Sequence, residues 1–274
     1  MKILSWNILA NEFIKQSYYP MIPSHILLNR KKRQDSIIET LKHANADIMF
    51  LQEVMQSEYN KLDDEFNKTY HLIKGKHIYW DNIRCYSGNI ILLRKSLFSL
   101  PTNQVDLSFG LAIQVHLQLC TIKSPSSSAF IGSKGNSYHA LEKCEGVKEK
   151  IELPILLVNV HLDDLSQANR LRQIKKLEPL LFSQPRIILS GDLNEHYNSK
   201  HITKLYKAFE EDYFTITNHE PTYYIKSKIC IDNILLKGFE THTKPSKVIN
   251  EFGANVVEHF ANYGSDHLPV TVTL

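Results

Sequence analysis

Residues 186–194 read RIILSGDLN: the apolar run Ile187-Ile188-Leu189 stops at Ser190-Gly191, and Asp192 and Asn194 follow two positions apart. In an extended chain that spacing puts both polar side chains on one side. The stretch predicts a buried strand that delivers a carboxylate and an amide to the rim of a sheet. Gly191 lets the backbone turn sharply or lets a substrate come close. Taken alone, the same residues read better as a strand followed by a helix cap. What decides between the two is that other strand ends carry the same kind of chemistry.

Upstream, Leu153 to Val160 reads as a buried strand capped by His161, and Leu171, Ile174, Leu177 and Leu181 form the apolar stripe of a following helix. Downstream, a helix is expected from about Ser199 to Glu211, then an apolar strand from Lys228 to Leu236 interrupted by Asp232. Ser265-Asp266-His267 precedes a closing strand, Leu268 to Leu274. At the other end, Lys2 to Leu9 is a first strand that turns polar at Asn7, and Ala46 to Leu51 is a second that stops at Gln52-Glu53. Between them lie a Tyr/Pro-rich connection (Ser17-Tyr18-Tyr19-Pro20, Pro23) and a helix from about Asn29 to Asn45. That helix opens with Arg30-Lys31-Lys32-Arg33, a run that usually means a solvated face. Arg30 is carried as its candidate phosphate contact.

A helix presenting Tyr59, Leu62 and Phe66 comes next, followed by strands near Tyr70 to Ile73, His77 to Trp80 and Asn89 to Leu93. Leu111 to Leu119 alternates, which leaves His116 half-exposed on its polar side. Lys123 to Lys150, rich in Ser, Gly and Lys, predicts a long loop or a flexible insertion at 123–150. Strands alternating with helices, then a strand-rich end, predict an α/β chain of sheets packed together and covered by helices.

The 274 residues, 43% of them hydrophobic, show no composition break, so residues 1–274 read as one domain. A net charge of +3 permits a polyanionic partner without demanding one. Cys85, Cys120, Cys144 and Cys230 are scattered with no C-x-x-C pair, which argues against a zinc site or disulfide scaffold and for a reducing, cytoplasmic or nuclear-type compartment. No signal peptide, transmembrane segment or membrane insertion is expected.

Asn7, Glu53, His161, the Asp192/Asn194 pair, Asp232 and the Asp266/His267 pair thus all sit at or inside apolar strands. There a carboxylate or imidazole costs free energy unless it is paired or bound to metal. Each alone is an ordinary cap or core residue; together they point to one edge where strand ends meet. The metal-side donors, Glu53 with Asn7 and Asp266, are hard oxygens that select Mg2+ or Mn2+, ions that bridge to phosphate oxygens. An Asp and a His remain to activate a water and to stabilise charge at phosphorus. Hydrolysis of a phosphoester is the chemistry these residues suit.

In order, W-N-I-L, D-I-M-F-L-Q-E-V, V-N-V-H-L, S-G-D-L-N, I-D-N-I-L-L and S-D-H-L-P-V resemble the motifs of the exonuclease-endonuclease-phosphatase superfamily, from Ile3 to Val270. The resemblance implies a DNase I-like four-layer sandwich, two face-to-face β-sheets flanked by helices, with Mg2+ at one edge. It implies that Glu53 holds the metal with Asn7 beside it and Asp266 joining through water. Asp192 would orient or deprotonate the attacking water, Asn194 position Asp192 and a phosphate oxygen, His161 donate to a nonbridging oxygen, and Asp232 keep His267 cationic.

A finer resemblance, in N-I-L-A-N-E-F, the Tyr-Tyr-Pro connection, N-R-K-K-R, L-L-R-K-S-L-F-S-L and E-P-T-Y-Y, is to the branch of poly(A) deadenylases, nocturnin and the 2′-phosphodiesterase of oligoadenylates. It implies a nucleic-acid partner, RNA ahead of DNA, digested from its 3′ end; apart from the resemblance, Tyr197, Tyr223 and Tyr224 are the aromatic candidates to stack on a base, against half-buried packing as the commoner role of any one of them. The chain departs from that branch after Asn194, where Glu195-His196-Tyr197-Asn198 replace a serine and a base-stacking proline. The stretch His161 to Asp164 with Arg170 to Gln173 is similar instead to superfamily phosphatases and 5′-tyrosyl-DNA phosphodiesterases. A DNA end adduct, abasic DNA or a small sugar or lipid phosphoester therefore stands as the alternative substrate, and a non-catalytic binding scaffold as the alternative to an enzyme.

Overall fold

In the computed structural model, residues 1–75, 78–80, 83–101, 103–121, 149–182, 184–196, 198–200, 215–216, 218–224, 228–239, 244–250 and 255–274 are described. The first sheet contains β1 (Lys2–Asn7), β2 (Ile48–Met55), β3 (Tyr70–Lys74), β4 (Ile78–Trp80), β5 (Ile83–Arg94), β12 (Lys244–Val248) and β13 (Val270–Thr273). Its order is β12-β13-β1-β2-β5-β3, with β4 also paired to β5. The second contains β6 (Asn103–Leu107), β7 (Gly110–Thr121), β8 (Glu149–His161), β9 (Ile187–Asp192), β10 (Thr215–Ile216) and β11 (Asp232–Lys237), in the order β10-β11-β9-β8-β7-β6. Helices α1 (Ser24–Leu27), α2 (Arg30–Ala44), α3 (Gln56–Phe66), α4 (Gln167–Phe182) and α5 (Val256–Tyr263) accompany them.

Strand alternation sorts the core into layers. Leu111, Ile113, Val115, Leu157, Ile188 and Ile234 of the second sheet share a buried cluster with Ile3, Met49, Phe50 and Ile91 of the first. Their neighbours Ala112, Val158, Leu189 and Leu235 point to the other face and meet Ile174, Leu177 and Leu181 of α4. The period-2 strands and the 3.6-period helix thus bury complementary faces, as expected for a helix-flanked sandwich. Full burial of a side chain such as Phe50 stabilises the fold by about 1.5–3 kcal/mol.

Helix limits follow from local chemistry. The Asn29 side chain accepts from Lys32 N at 3.1 Å and Asn45 closes α2 in the left-handed conformation, so the expected Asn29–Asn45 span is the helix with both its caps. The four-cation run is not uniformly solvated: Arg30, Lys31 and Lys32 are exposed, whereas Arg33 is 3% exposed. Arg33 donates to Asn11 Oδ1, Ile8 O and Gly264 O. Helix α5 has no counterpart among the sequence expectations, although Asn255 caps its start and Gly264 (φ 72°) its end.

Two strand limits also shift. Strand β2 does not stop at Gln52; it continues to Met55 through an irregularity between Leu51 and Val54, with Glu53 at φ 57°. Asp232 does not interrupt β11 but opens it, directly across from Asp192 in antiparallel register. Strand β8 begins at Glu149, inside the expected 123–150 insertion; the rest of that insertion, and residues 201–211 of the expected helix, lie outside the described residues. No helix among the described residues is long and apolar enough to cross a membrane.

At Gly191 the sheet admits no side chain. A Cβ there would lie 1.8 Å from Val160 O, at φ +142°. Gly191→Ala is expected to cost about 3 kcal/mol or more through backbone displacement, read as a fall in the urea midpoint with unchanged slope. A midpoint equal to wild type would contradict this packing.

Candidate active site

Register brings the polar strand ends to one edge. Asn7 ends β1, beside Gln52 in the parallel β2; His161 ends β8 opposite Asp192 at the end of the parallel β9; Asp232 opens β11 opposite Asp192. The turn Ser265-Asp266-His267 enters from before β13 and is tied down by Ser265 Oγ donating to Asn7 O at 2.7 Å and Trp6 Nε1 donating to His267 O at 2.9 Å.

At the centre, Asn7 Nδ2 donates to Glu53 Oε1 at 2.9 Å and to Asp192 Oδ2 at 3.1 Å, while Asn7 Oδ1 accepts from Leu9 N at 3.0 Å. Glu53 Oε2 accepts from Ala10 N at 2.9 Å. Asp192 Oδ1 accepts from the backbone N of Asn194 at 2.8 Å; Asn194, at φ 49°, sends its side-chain amide to Leu162 O at 2.8 Å. His161 Nε2 lies 3.8 Å from both Glu53 Oε1 and Asp192 Oδ2. His267 Nδ1 bonds Asp232 Oδ2 at 2.9 Å, and its Nε2 is 3.6 Å from Asp192 Oδ2 and 3.9 Å from Asp266 Oδ1. The Tyr19 phenol donates to Asp266 Oδ2 at 3.1 Å.

Electrostatics follow from this crowding. Burial, reinforced by Asp232, raises the Asp192 pKa above the usual carboxylate range. Burial likewise pushes Asp266 up to about 6, with Glu53 adding to the rise and His267 opposing it. For His267 burial works against the cation, but Asp232, Asp192 and Asp266 outweigh it and hold its pKa well above the ordinary value.

Asn7, Glu53, His161, Asp192, Asn194, Asp232, Asp266 and His267 are thus gathered at one edge. Of the expected substrate contacts, Tyr223 lies beside them, its ring 5.2 Å from that of His267. Tyr224 packs instead edge-on against His259 at 4.9 Å and accepts from Asn250 Nδ2. Arg30 is exposed in the first turn of α2, and Tyr197 lies outside the described residues.

Two supporting groups escaped the sequence reading. Beneath Glu53 and His161, Gln52 Nε2 donates to Asn159 Oδ1 at 2.7 Å, and Asn159 Nδ2 donates to Leu51 O at 3.0 Å and Ile90 O at 2.8 Å. Asn89 Nδ2 donates to Asn159 O at 3.2 Å. A polar residue inside or at the end of each apolar run was the available signal. On the rim, the buried Glu195 pairs with Arg170 at 2.9 Å, and that hydrogen bond lowers its pKa despite burial.

Asp192, Asp232 and His267 form a described group whose ligand atoms lie within 4.8 Å of one another. A protonated imidazole has no lone pair for a metal, so a cationic His267 is an ion-pair partner rather than a ligand. Glu53, Asn7 and Asp266 are the other oxygen set, and Asp266 Oδ1 is buried with no hydrogen-bond partner among the described residues.

A model of the Endonuclease/Exonuclease/phosphatase family matches residues 4–267. The CCR4-Not complex 3'-5'-exoribonuclease subunit Ccr4 of Neosartorya fischeri is 29% identical over 118 residues, 39% of this chain and 15% of that protein. The chain therefore spans about 15% of the length of that curated relative. The fold resembles that of ANGEL2, described as a 2',3'-cyclic phosphatase (TM-score 0.67, 16% identity, 99% of this chain, 93% of that one). It also resembles truncated Caenorhabditis elegans TDP2 (TM-score 0.58, 15% identity, 99% of this chain, 95% of that one).

The His267 ion pair gives a test by titration. In wild type the imidazole is expected to stay protonated through neutral pH in NMR spectra; in Asp232→Asn its pKa should fall by at least a full unit. Because the folded pKa is raised, the stabilisation from the pairing is complete below about 6.5 and is lost as pH climbs through the raised value. The stability gap between wild type and variant should therefore narrow at alkaline pH. An unchanged titration would show that Asp232 does not hold the cation.

Proposed function

The chain belongs to the Endonuclease/Exonuclease/phosphatase family, and from that premise we propose that it is a Mg2+-dependent phosphodiesterase that hydrolyses RNA or an oligonucleotide from its 3′ end. The observation that carries the hydrolytic part is the convergence of a doubly hydrogen-bonded Asp192, a carboxylate-paired His267 and the Glu53/Asn7/Asp266 oxygen set at one edge. The substrate part rests on the similarity to Ccr4 and on the Tyr/Pro-rich entry between β1 and α2.

Glu53 and Asp266 would hold the cation with Asn7 beside them: the Asn7 amide nitrogen orients Glu53 while its oxygen accepts from Leu9 N, and the unpartnered Asp266 Oδ1 fits a group that accepts its lone pairs. Bound there, Mg2+ supplies charge neutralisation at the phosphate. Asp192 takes the proton of the attacking water; its raised pKa makes it a better acceptor than an ordinary carboxylate. Asn7 and the Asn194 backbone fix both Asp192 oxygens, so the carboxylate does not reorient during the step. Asp232 holds His267 Nδ1, which leaves Nε2–H to meet the charge that builds on a nonbridging oxygen. His161 Nε2, 3.8 Å from Glu53 and Asp192, serves a second nonbridging oxygen. Tyr223, beside His267, would stack on the terminal base; Tyr197 and Arg30 would extend contact along the chain, while Tyr224 is engaged in packing.

The net charge of +3 favours one second reading, a compact phosphoester or DNA end adduct, because long polyanions usually meet a clearly basic surface. Product analysis with Mg2+ on poly(A) RNA, mixed RNA, 2′,5′-oligoadenylate, 2',3'-cyclic phosphate ends, 5′-tyrosyl DNA, abasic DNA and small phosphomonoesters separates the readings. Stepwise shortening of RNA from its 3′ end is expected, with affinity that falls as salt rises; a flat salt response with cleavage confined to compact substrates supports the second reading. Asp192→Asn should lower kcat by about 10²- to 10⁴-fold with the melting temperature little changed. Full activity of Asp192→Asn and Glu53→Ala on every substrate would remove the site assignment.

A further inference from the structure

We infer that Tyr19 is a positioning residue for the cation site, acting through Asp266. The inference rests on the reading of Glu53, Asn7 and Asp266 as the cation-holding set. The Asp266 side chain is 8% exposed, and its two oxygens have different surroundings. Oδ2 accepts from the Tyr19 phenol at 3.1 Å. Oδ1 has no hydrogen-bond partner among the described residues and lies 3.9 Å from His267 Nε2. A carboxylate with one oxygen pinned cannot rotate freely about its Cβ–Cγ bond, so the phenol decides which oxygen is offered to a cation. Ligating carboxylates commonly need such an outer partner to fix their orientation.

The phenol is itself held rigidly. Tyr19 is 5% exposed and packs in a cluster with Leu9, Ile22, Leu27 and Phe260. Its ring meets that of Phe260, on α5, at 5.9 Å. Its carbonyl accepts from Gln16 Nε2 at 3.1 Å and from Ile22 N at 3.1 Å, so the connection is fastened on both sides of the tyrosine. The backbone of the Asp266 turn is fixed by different bonds, Arg33 Nη1 to Gly264 O at 2.7 Å and Ser265 Oγ to Asn7 O at 2.7 Å. Loss of the phenol oxygen should therefore free the carboxylate without releasing the turn. This gives the Tyr/Pro-rich connection a role at the metal.

Tyr19→Phe keeps the ring and removes the hydroxyl. Calorimetric titration of the substrate-free protein with Mg2+, and with Mn2+, is expected to show binding weakened about 10-fold or more, with the melting temperature within a few degrees of wild type. The Mg2+ concentration for half-maximal activity should rise in parallel, while kcat at saturating Mg2+ recovers towards wild type. A merely structural tyrosine would shift the melting temperature and leave metal affinity alone. In an Asp266→Asn background, Tyr19→Phe should cause no further loss; an undiminished loss there would show that Tyr19 acts elsewhere and overturn the inference. If wild type binds Mg2+, Glu53→Gln loses it and Tyr19→Phe binds as wild type, the inference alone fails. If wild type itself binds neither ion at millimolar concentration, the reading of the cation set fails and takes the inference with it.

Discussion

The amide of Asn7 is the interaction on which the rest of the edge depends. Its nitrogen donates to Glu53 in its own sheet and to Asp192 in the facing sheet, so one NH2 group closes the seam between the two layers. Only a carboxamide brings two donors without a charge. An aspartate at that place would add another carboxylate to a cluster that already holds four, and an apolar residue would deprive Glu53 Oε1 and Asp192 Oδ2 of the donor they share. The amide is fixed in turn by Leu9 N, and β1 is flanked by β13 and β2, so the donor sits on an internal strand rather than a loop.

Around that seam local rules are broken together. Glu53, Asn194 and Leu9 all have positive φ, which costs a side-chain-bearing residue on the order of 1–3 kcal/mol. Asp192 and Asp232 are buried, and both Asp192 and Asp266 are held above the usual carboxylate range. Such strain persists where the surroundings over-determine it. Here the surroundings are two apolar sheets and an amide cluster, Gln52, Asn159 and Asn89, wedged between them. The cluster bonds Leu51 O, next to the β2 irregularity that turns Glu53 toward the site. Stability in the layers thus underwrites a locally unfavourable edge, the pattern expected where a chain sacrifices local consistency for chemistry.

How much of this was legible follows from the same physics. Apolar runs that end in Asp, Asn, Glu or His are visible in a sequence because burial makes such residues expensive, so Asn7, Glu53, His161, Asp192, Asp232 and the Asp266-His267 pair could be singled out and their edge inferred. Arg33 could not: a cation run reads as solvent-facing, and only the fold shows Ile8, Asn11 and Gly264 converging on its guanidinium. Tyr19 was visible as part of an aromatic connection, but its partner lies 247 positions away and no local pattern pairs them. The continuation of β2 past Glu53 was hidden because a bulge breaks the period on which strand reading relies. Helix α5 was missed despite an asparagine cap and a terminal glycine, because its eight residues are too few to establish a period.

The connections, rather than the strands, bear on which bond is cut. Directly after Asn194, Glu195 turns inward, is 9% exposed, and joins Arg170 at 2.9 Å. Arg170 Nη1 also donates to Asp163 O at 2.8 Å, in the loop that follows His161. The loops beyond His161 and Asn194 are therefore fastened to each other through one guanidinium, and this half of the rim is built for rigidity. The opposite half, from Thr222 to Tyr223, is stitched differently: Thr222 Oγ1 accepts from Asp232 N at 3.2 Å, and Thr222 O accepts from Leu268 N at 2.8 Å. That places the half-buried Tyr223 ring against His267, between the start of β11 and the turn before β13. Glu195 is thus committed to Arg170 on one half, whereas on the other an aromatic ring is set against the imidazole of the site. The two halves of the rim differ in kind: a guanidinium ties two loops together on one, and on the other a half-buried ring is held beside His267 by hydrogen bonds through Thr222.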